Sequence, residues 1–218
     1  MSHPKSHKVR SLGDTWVHVV EWGHQLIPDQ PVIAVNWFNT RSLWLYHIYN
    51  LLASAPLKRV GGKSLFKGRL RYRIHGDSEA ARSTVLLVFY PSVQDFLRLM
   101  GNRYFAFVGL LRMLAVRDFT FGLTQPVPGT NIDFDDLGDK QYICQYANSA
   151  TDGLSDGNNQ SSSSFYSGQV VATIATGDET RPVSPVPCLM SHFDLADASS
   201  VAVHDDSSLF SGIFERID

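Results

Sequence analysis

Two stretches a hundred residues apart carry one pattern, and that repetition constrains the fold more than any single motif. Residues 66–77 (FKGRLRYRIHGD) and 165–178 (FYSGQVVATIATGD) share an aromatic start, a glycine, a β-rich run and a Gly-Asp exit. Gly68 matches Gly168, Gly76 matches Gly177, and Asp77 matches Asp178. Residues 140–148 (KQYICQYAN) resemble 31–38 (PVIAVNWF), and 186–194 (VPCLMSHFD) take the place of 85–91. The tail 207–218 (SSLFSGIFERID) resembles 103–114 (RYFAFVGLLRML), a helix. The offset falls from about 110 to about 100 between the first two matches. The lost residues belong where the first copy has a helix. In their place 151–164 (TDGLSDGNNQSSSS) predicts a mobile loop with nothing to bury.

The first copy reads as a complete unit. The β-branched run 31–38 is a strand, and Thr40 is a candidate N-cap for a helix over 41–55 that Pro56 closes. Gly61 and Gly62 turn the chain into 65–74, where Arg69, Arg71 and Arg73 alternate with Leu70, Tyr72 and Ile74. Residues 84–90 (TVLLVFY) are continuous enough for a central strand. Ser92 with Asp95 starts one long helix to about residue 116, and 119–123 (FTFGL) is a last strand before Pro126. The order is β-α-β-β-α-β, the ferredoxin-like unit. Its sheet has one face covered by helices and a second apolar face that needs a partner.

Composition narrows the function classes. With 218 residues, 44% of them apolar, the chain builds a sizeable core. No apolar run reaches the ~18 residues of a membrane span, and the basic start is not followed by a signal-peptide core. Two cysteines, Cys144 and Cys188, read as small buried hydrophobes of a reducing compartment, so a cytoplasmic protein is expected. The net charge is −2, which disfavours a general nucleic-acid binder. That balance hides a contrast: residues 1–120 carry +9 and 121–218 carry −11. The charges are scattered, as in two complementary lobes that meet, rather than run in blocks.

The Gly61-Gly62 turn, the Phe66-Lys67-Gly68 strand with its Gly76-Asp77 exit, Tyr90-Pro91-Ser92, and a helix with Asn102-Arg103-Tyr104 and Arg112 carry a resemblance. Together they resemble the dimeric α/β-barrel superfamily, within it most nearly small domains of unknown function. The likeness covers residues 31–124 well and 140–218 weakly. It implies two ferredoxin-like lobes fused in tandem as an intrachain α/β barrel of α+β class, the second lobe degenerate. The divisions are then an extension at 1–30, a first lobe at 31–126, a linker at 127–139 and an incomplete second lobe at 140–218. The superfamily's strand order, 4-1-3-2 in each lobe, implies that 119–123 covers 169–176. It leaves the 69–74 strand open unless 15–22 (TWVHVVEW) fills the slot beside 142–147.

That superfamily includes cofactor-free monooxygenases, muconolactone-type isomerases, polyketide cyclases and haem-binding chlorite dismutases, so the resemblance implies a pocket without naming a reaction. The expected function is a cofactor-free isomerase, cyclase or monooxygenase, or a binder, with a pocket between the two sheets. The alternative is a non-catalytic accessory subunit. His75, His192, Tyr72 and Tyr90 are the candidate catalytic residues, as a base near neutral pKa and donors to an enolate oxygen. Asn36, Arg71 and Arg73 are candidate substrate contacts, the arginines for a carboxylate or phosphate. All of these have a plainer reading as polar residues at strand ends or on a protected edge. His18, His24, His47, His192 and His204 have no ligand spacing, so neither metal nor cofactor is expected. The expected ligand is small and apolar or aromatic, and the chain is a monomer or homodimer.

Overall fold

A computed structural model describes residues 28–75, 82–126, 141–147, 164–175, 192–197 and 208–217. The elements are β1 (Val32–Thr40), α1 (Leu43–Arg59), β2 (Lys63–His75), β3 (Thr84–Tyr90), α2 (Val93–Met100), α3 (Arg103–Ala115) and β4 (Val116–Pro126). Then come β5 (Gln141–Ala147), β6 (Ser164–Ala175), β7 (His192–Asp197) and β8 (Ser208–Arg216). The fold is α+β. Eight antiparallel strands close a barrel in the order β1-β3-β2-β8-β5-β7-β6-β4, with β4 returning to β1.

Local chemistry sets the helix ends. Thr40 is still in β1, and the N-cap of α1 is Ser42, whose hydroxyl accepts from the Leu45 N–H. Pro56 does not end α1; the helix continues to Arg59 with Pro56 buried. The turn is made instead by Gly61, at φ 71°, and Gly62, whose N–H donates to the Leu57 carbonyl at 3.0 Å. The single helix expected over 92–116 is two. Ser92 caps α2 through the Asp95 N–H at 3.1 Å, and its hydroxyl meets the Asp95 carboxylate at 2.8 Å. Gly101 then ends α2, and Asn102 caps α3 by accepting from the Phe105 N–H at 3.1 Å.

Alternation in the strands sorts side chains into two cores. Ile33, Val35 and Trp37 of β1, Phe66 of β2, Leu87 of β3, Tyr142 and Cys144 of β5, Tyr166 of β6, Leu195 of β7 and Phe214 of β8 form one buried cluster inside the barrel. Rings from strands that are not neighbours meet there: Phe66 meets Tyr142 edge-on at 5.3 Å, and Trp37 meets Phe214 at 6.4 Å. Thr124 donates to the Ile33 carbonyl at 3.0 Å, so its hydroxyl oxygen accepts from the Tyr166 hydroxyl at 2.6 Å. The second core lies outside the barrel. There Val32, Ala34, Val88, Phe119, Phe121 and Leu123 meet Tyr46, Phe96, Phe105 and Val108 of the helices.

The tail corrects the sequence reading. Residues 208–216 are not a helix but β8, paired with β2 on one side and β5 on the other. The slot assigned to 15–22 is therefore occupied, and those residues lie outside the described ones. The strand of 119–123 covers β6 as expected. Of the expected loop 151–164 only Ser164, the first residue of β6, is described; the linker 127–139, Cys188 and residues 1–27 lie outside the described residues.

Candidate functional site

Beneath the two longer helices lies a cavity of about 330 Å³. Its floor is the outer face of the sheet: Asn36 of β1, Ser64 and Lys67 of β2, Leu86, Val88 and Tyr90 of β3, and Phe119 and Phe121 of β4. Its roof is Tyr46, Tyr49, Asn50, Ala53, Ser54 and Leu57 of α1, with Phe105 and Arg112 of α3, and Met100 and Ile217 close the ends. Among the described residues this cavity lies on the helix side of the sheet, where α1 presents small Ala53 and Ser54, whereas five buried aromatic rings, those of Trp37, Phe66, Tyr142, Tyr166 and Phe214, stand in the interior where the pocket was expected.

The polar groups of this cavity are hydroxyls, amides and two cationic side chains. Tyr46 is 2% exposed, and its hydroxyl has no hydrogen-bond partner. Burial is the largest influence on its pKa, and the neighbouring Asn50 acts against it. Burial, with the nearby Tyr49, pushes the Tyr46 pKa well up, so the group stays a neutral donor. Burial does the same to Tyr90, against a small pull from Arg112. The Lys67 ammonium lies 4.7 Å from the centre of the Tyr46 ring, and the Arg112 guanidinium 4.2 Å from that of Phe119. Asn36 donates from its amide to the Ala34 and Leu86 carbonyls, at 3.2 and 3.3 Å, which fixes its orientation. No carboxylate or imidazole is among the described lining residues.

The structure divides the candidates named from sequence. Asn36 and Tyr90 come together in the cavity, but on the helix side of the sheet rather than inside the barrel. Tyr72 is 67% exposed, and Arg71 and Arg73 are also exposed, on the part of β2 that pairs with β8 beyond the end of β3. Arg71 forms an ion pair with Glu215 across the β2–β8 seam, which satisfies the guanidinium expected to meet a ligand. His75 stands opposite Ser211 at the end of β2, and His192 opposite Ala147 and Gln169 at the start of β7; these strands are not neighbours. Tyr46, Lys67 and Arg112 were missed. Tyr46, Tyr49 and Asn50 recur at helical spacing on a largely apolar helix, but that spacing alone does not distinguish a site from ordinary packing. Among the described residues, no three His, Cys, Asp or Glu side chains gather as a metal site. No described helix is long and apolar enough to cross a membrane.

No family model matches the chain, and no curated protein matches its sequence. Among solved structures it is similar to a protein of unknown function from Rhodopseudomonas palustris. That likeness has a TM-score of 0.47 at 17% identity over 56% of this chain and 98% of the other. The methylated form of that protein gives 0.46 at 16%, over 58% and 100%. An anthrone oxidase-like protein is similar over 88% of this chain and 94% of its own, with a TM-score of 0.43 and 11% identity. Likenesses this distant assign no chemistry.

Proposed function

We propose that this chain is a small-molecule binder, or a cofactor-free enzyme, that takes an apolar, aromatic ligand bearing an acceptor oxygen. The site is the cavity between α1, α3 and the sheet. The observation that carries the reading is an apolar cavity lined by Tyr46, whose buried hydroxyl is a donor without a partner. A buried unpaired hydroxyl costs ~1–3 kcal/mol, a cost a bound carbonyl, phenolate or carboxylate oxygen removes. Asn36 and Tyr90 keep the ligand-contacting roles expected of them, and Tyr46 takes the donor role expected of Tyr72. In an isomerase, cyclase or monooxygenase these donors would hold a developing enolate or phenolate oxygen. His75 and His192 remain candidates for a base outside this lining.

The same proposal includes the architecture: two ferredoxin-like lobes in tandem, the second lacking much of the sequence of the first. What supports it is the pairing register. The first four strands stand in the order β4-β1-β3-β2 and the last four in the order β8-β5-β7-β6. Val35 of β1 pairs with Gly122 of β4, and Cys144 of β5 pairs with Gly212 of β8. Ile33 pairs with Thr124 as Tyr142 pairs with Phe214. On this alignment the tail copies β4 rather than the helix before it.

The test is titration calorimetry with 1-naphthoate, 2-naphthol and naphthalene. The two oxygen-bearing probes are expected to bind at least ~10-fold more tightly than the hydrocarbon. Tyr46→Phe should erase about 5–10-fold of that difference, the worth of one buried hydrogen bond, and Tyr72→Phe should leave it unchanged. Equal affinities for all three probes in wild type and Tyr46→Phe, or no binding at all, would overturn the reading.

A further inference from the structure

The roof helices of the cavity present a second apolar surface, on the side away from the sheet. Trp44 and Leu51 of α1 lie seven residues apart on one face and are 70% and 74% exposed, with Leu43 beside them at 59%. Phe107, Leu110 and Leu114 make the matching row on α3, at 64%, 47% and 60%. The Arg41 and Ser42 N–H groups both donate to the Ala115 carbonyl, at 2.8 and 3.0 Å, which sets the start of α1 on the end of α3. The two helices pack against each other, so the rows adjoin as one ridge. Six large apolar side chains, each 47–74% exposed, stand together on this face, where single scattered ones would be ordinary.

Among the described residues, the charge on the two ridge helices is of one sign. Residues 41–59 and 96–117 contain no Asp or Glu. Arg41 stands at one end, and Lys58, Arg59 and Arg103 stand at the helix ends opposite, all exposed. The flanking carboxylates are engaged: Asp95 with Arg98 at 3.2 Å, and Asp118 with Asn39 at 2.9 Å and with Arg117 at 3.9 Å.

We propose that the α1–α3 face docks on an anionic lipid surface. A second copy of this chain is the poorer occupant. A two-fold contact between the ridges lays helix ends on helix ends and sets cations against cations, with no carboxylate on either helix to relieve them. An anionic bilayer satisfies both features: the acyl region takes the ridge, and the head groups take the cations. Trp44 and the half-exposed Tyr104 are the residue types that settle at such a boundary. This proposal stands apart from the cavity and its ligand.

The test uses the full chain in co-sedimentation with vesicles of phosphatidylcholine alone or mixed with phosphatidylserine. Binding should be at least ~10-fold stronger on the anionic vesicles and fall in high salt. A Leu51→Glu/Phe107→Glu variant should lose that binding with an unchanged melting temperature, since both side chains are already exposed. Lys58→Glu/Arg59→Glu should weaken binding by about fivefold or more per cation removed, which tests the charge without touching the ridge. Equal behaviour on both vesicle types, or binding that survives both variants, would overturn the proposal. A dimer seen by light scattering that binds no vesicles and is broken by Leu51→Glu/Phe107→Glu would overturn it in favour of self-association.

Discussion

At the scale of residues, three buried groups tie the stability of this fold to alkaline pH. Burial raises the pKa of the Tyr46 and Tyr90 hydroxyls and of the Cys144 thiol above their ordinary values. In the unfolded chain the thiol ionises near ~8.5 and the tyrosines near ~10. Above those values the unfolded state sheds protons that the folded state retains, so unfolding is favoured as pH rises. Their stabilisation is complete below about pH 8.5 and shrinks above it, first through Cys144 and then through the tyrosines. Urea midpoints at pH 8, 9.5 and 11 should therefore decline, with the steeper fall in the second interval; a flat series would contradict this. Tyr46→Phe should lessen the fall above pH 10. Because it removes an unpaired hydroxyl rather than a hydrogen bond, its midpoint at pH 8 should match or exceed wild type. The same orphaned group shows why the site was only partly legible in the sequence. Asn36 and Tyr90 were legible because they are polar residues on strands expected to line a barrel. Tyr46 looked like one more apolar residue of a helix, and only packing reveals a hydroxyl with no partner.

At the scale of elements, legibility followed the period of the pattern. β3, a continuous TVLLVFY run, and β2, with its Arg-Leu-Arg-Tyr-Arg alternation, were placed within a few residues because nothing in them imitates a helix. The break between α2 and α3 was hidden. Gly101-Asn102 interrupts a 3.6-residue apolar rhythm that continues on both sides, and only the Asn102 cap distinguishes two helices from one. β8 failed for the opposite reason. SLFSGIFER is short and lacks strict alternation, and its likeness to the α3 sequence outweighed its likeness to β4. Tertiary pairing settles such a segment, and here the open edges of β2 and β5 supply it. That seam is closely fitted at Gly68. A Cβ there would lie 2.7 Å from the Phe66 ring and 2.9 Å from the Phe214 Cβ. Both neighbours are fully buried and have nowhere to retreat. Gly68→Ala should thus destabilise the fold by ~1–3 kcal/mol through overpacking. The measurement is the shift in urea midpoint, and an unshifted midpoint would show that the seam yields.

For the whole molecule, the closed ring makes the two halves depend on one another. β1 to β4 touch β5 to β8 at both seams, β2–β8 and β4–β6, and the interior cluster draws side chains from all but one of the eight strands while β4 joins it through the Thr124–Tyr166 hydrogen bond. Removing one half would expose Val35, Trp37, Phe66 and Leu87 on the other, an apolar face that no described helix covers. A chain of two independent domains has two transitions, each sensitive only to mutations within it. A chain whose halves share one core has a single transition, sensitive to mutations anywhere in that core. Leu87 of β3 and Phe214 of β8 test this, being fully buried and on opposite halves of the chain. Leu87→Ala should cost ~2–5 kcal/mol and Phe214→Ala ~3–5 kcal/mol, by lost burial and the cavities left behind. In urea, far-ultraviolet circular dichroism and tryptophan fluorescence should give coincident curves for wild type. Each variant should move both curves together and by the same amount. If Phe214→Ala instead splits the transition and leaves the part reported by the tryptophans, all four of which precede β2, where it was, the first four strands hold together without the last four, and the barrel is two domains in contact rather than one.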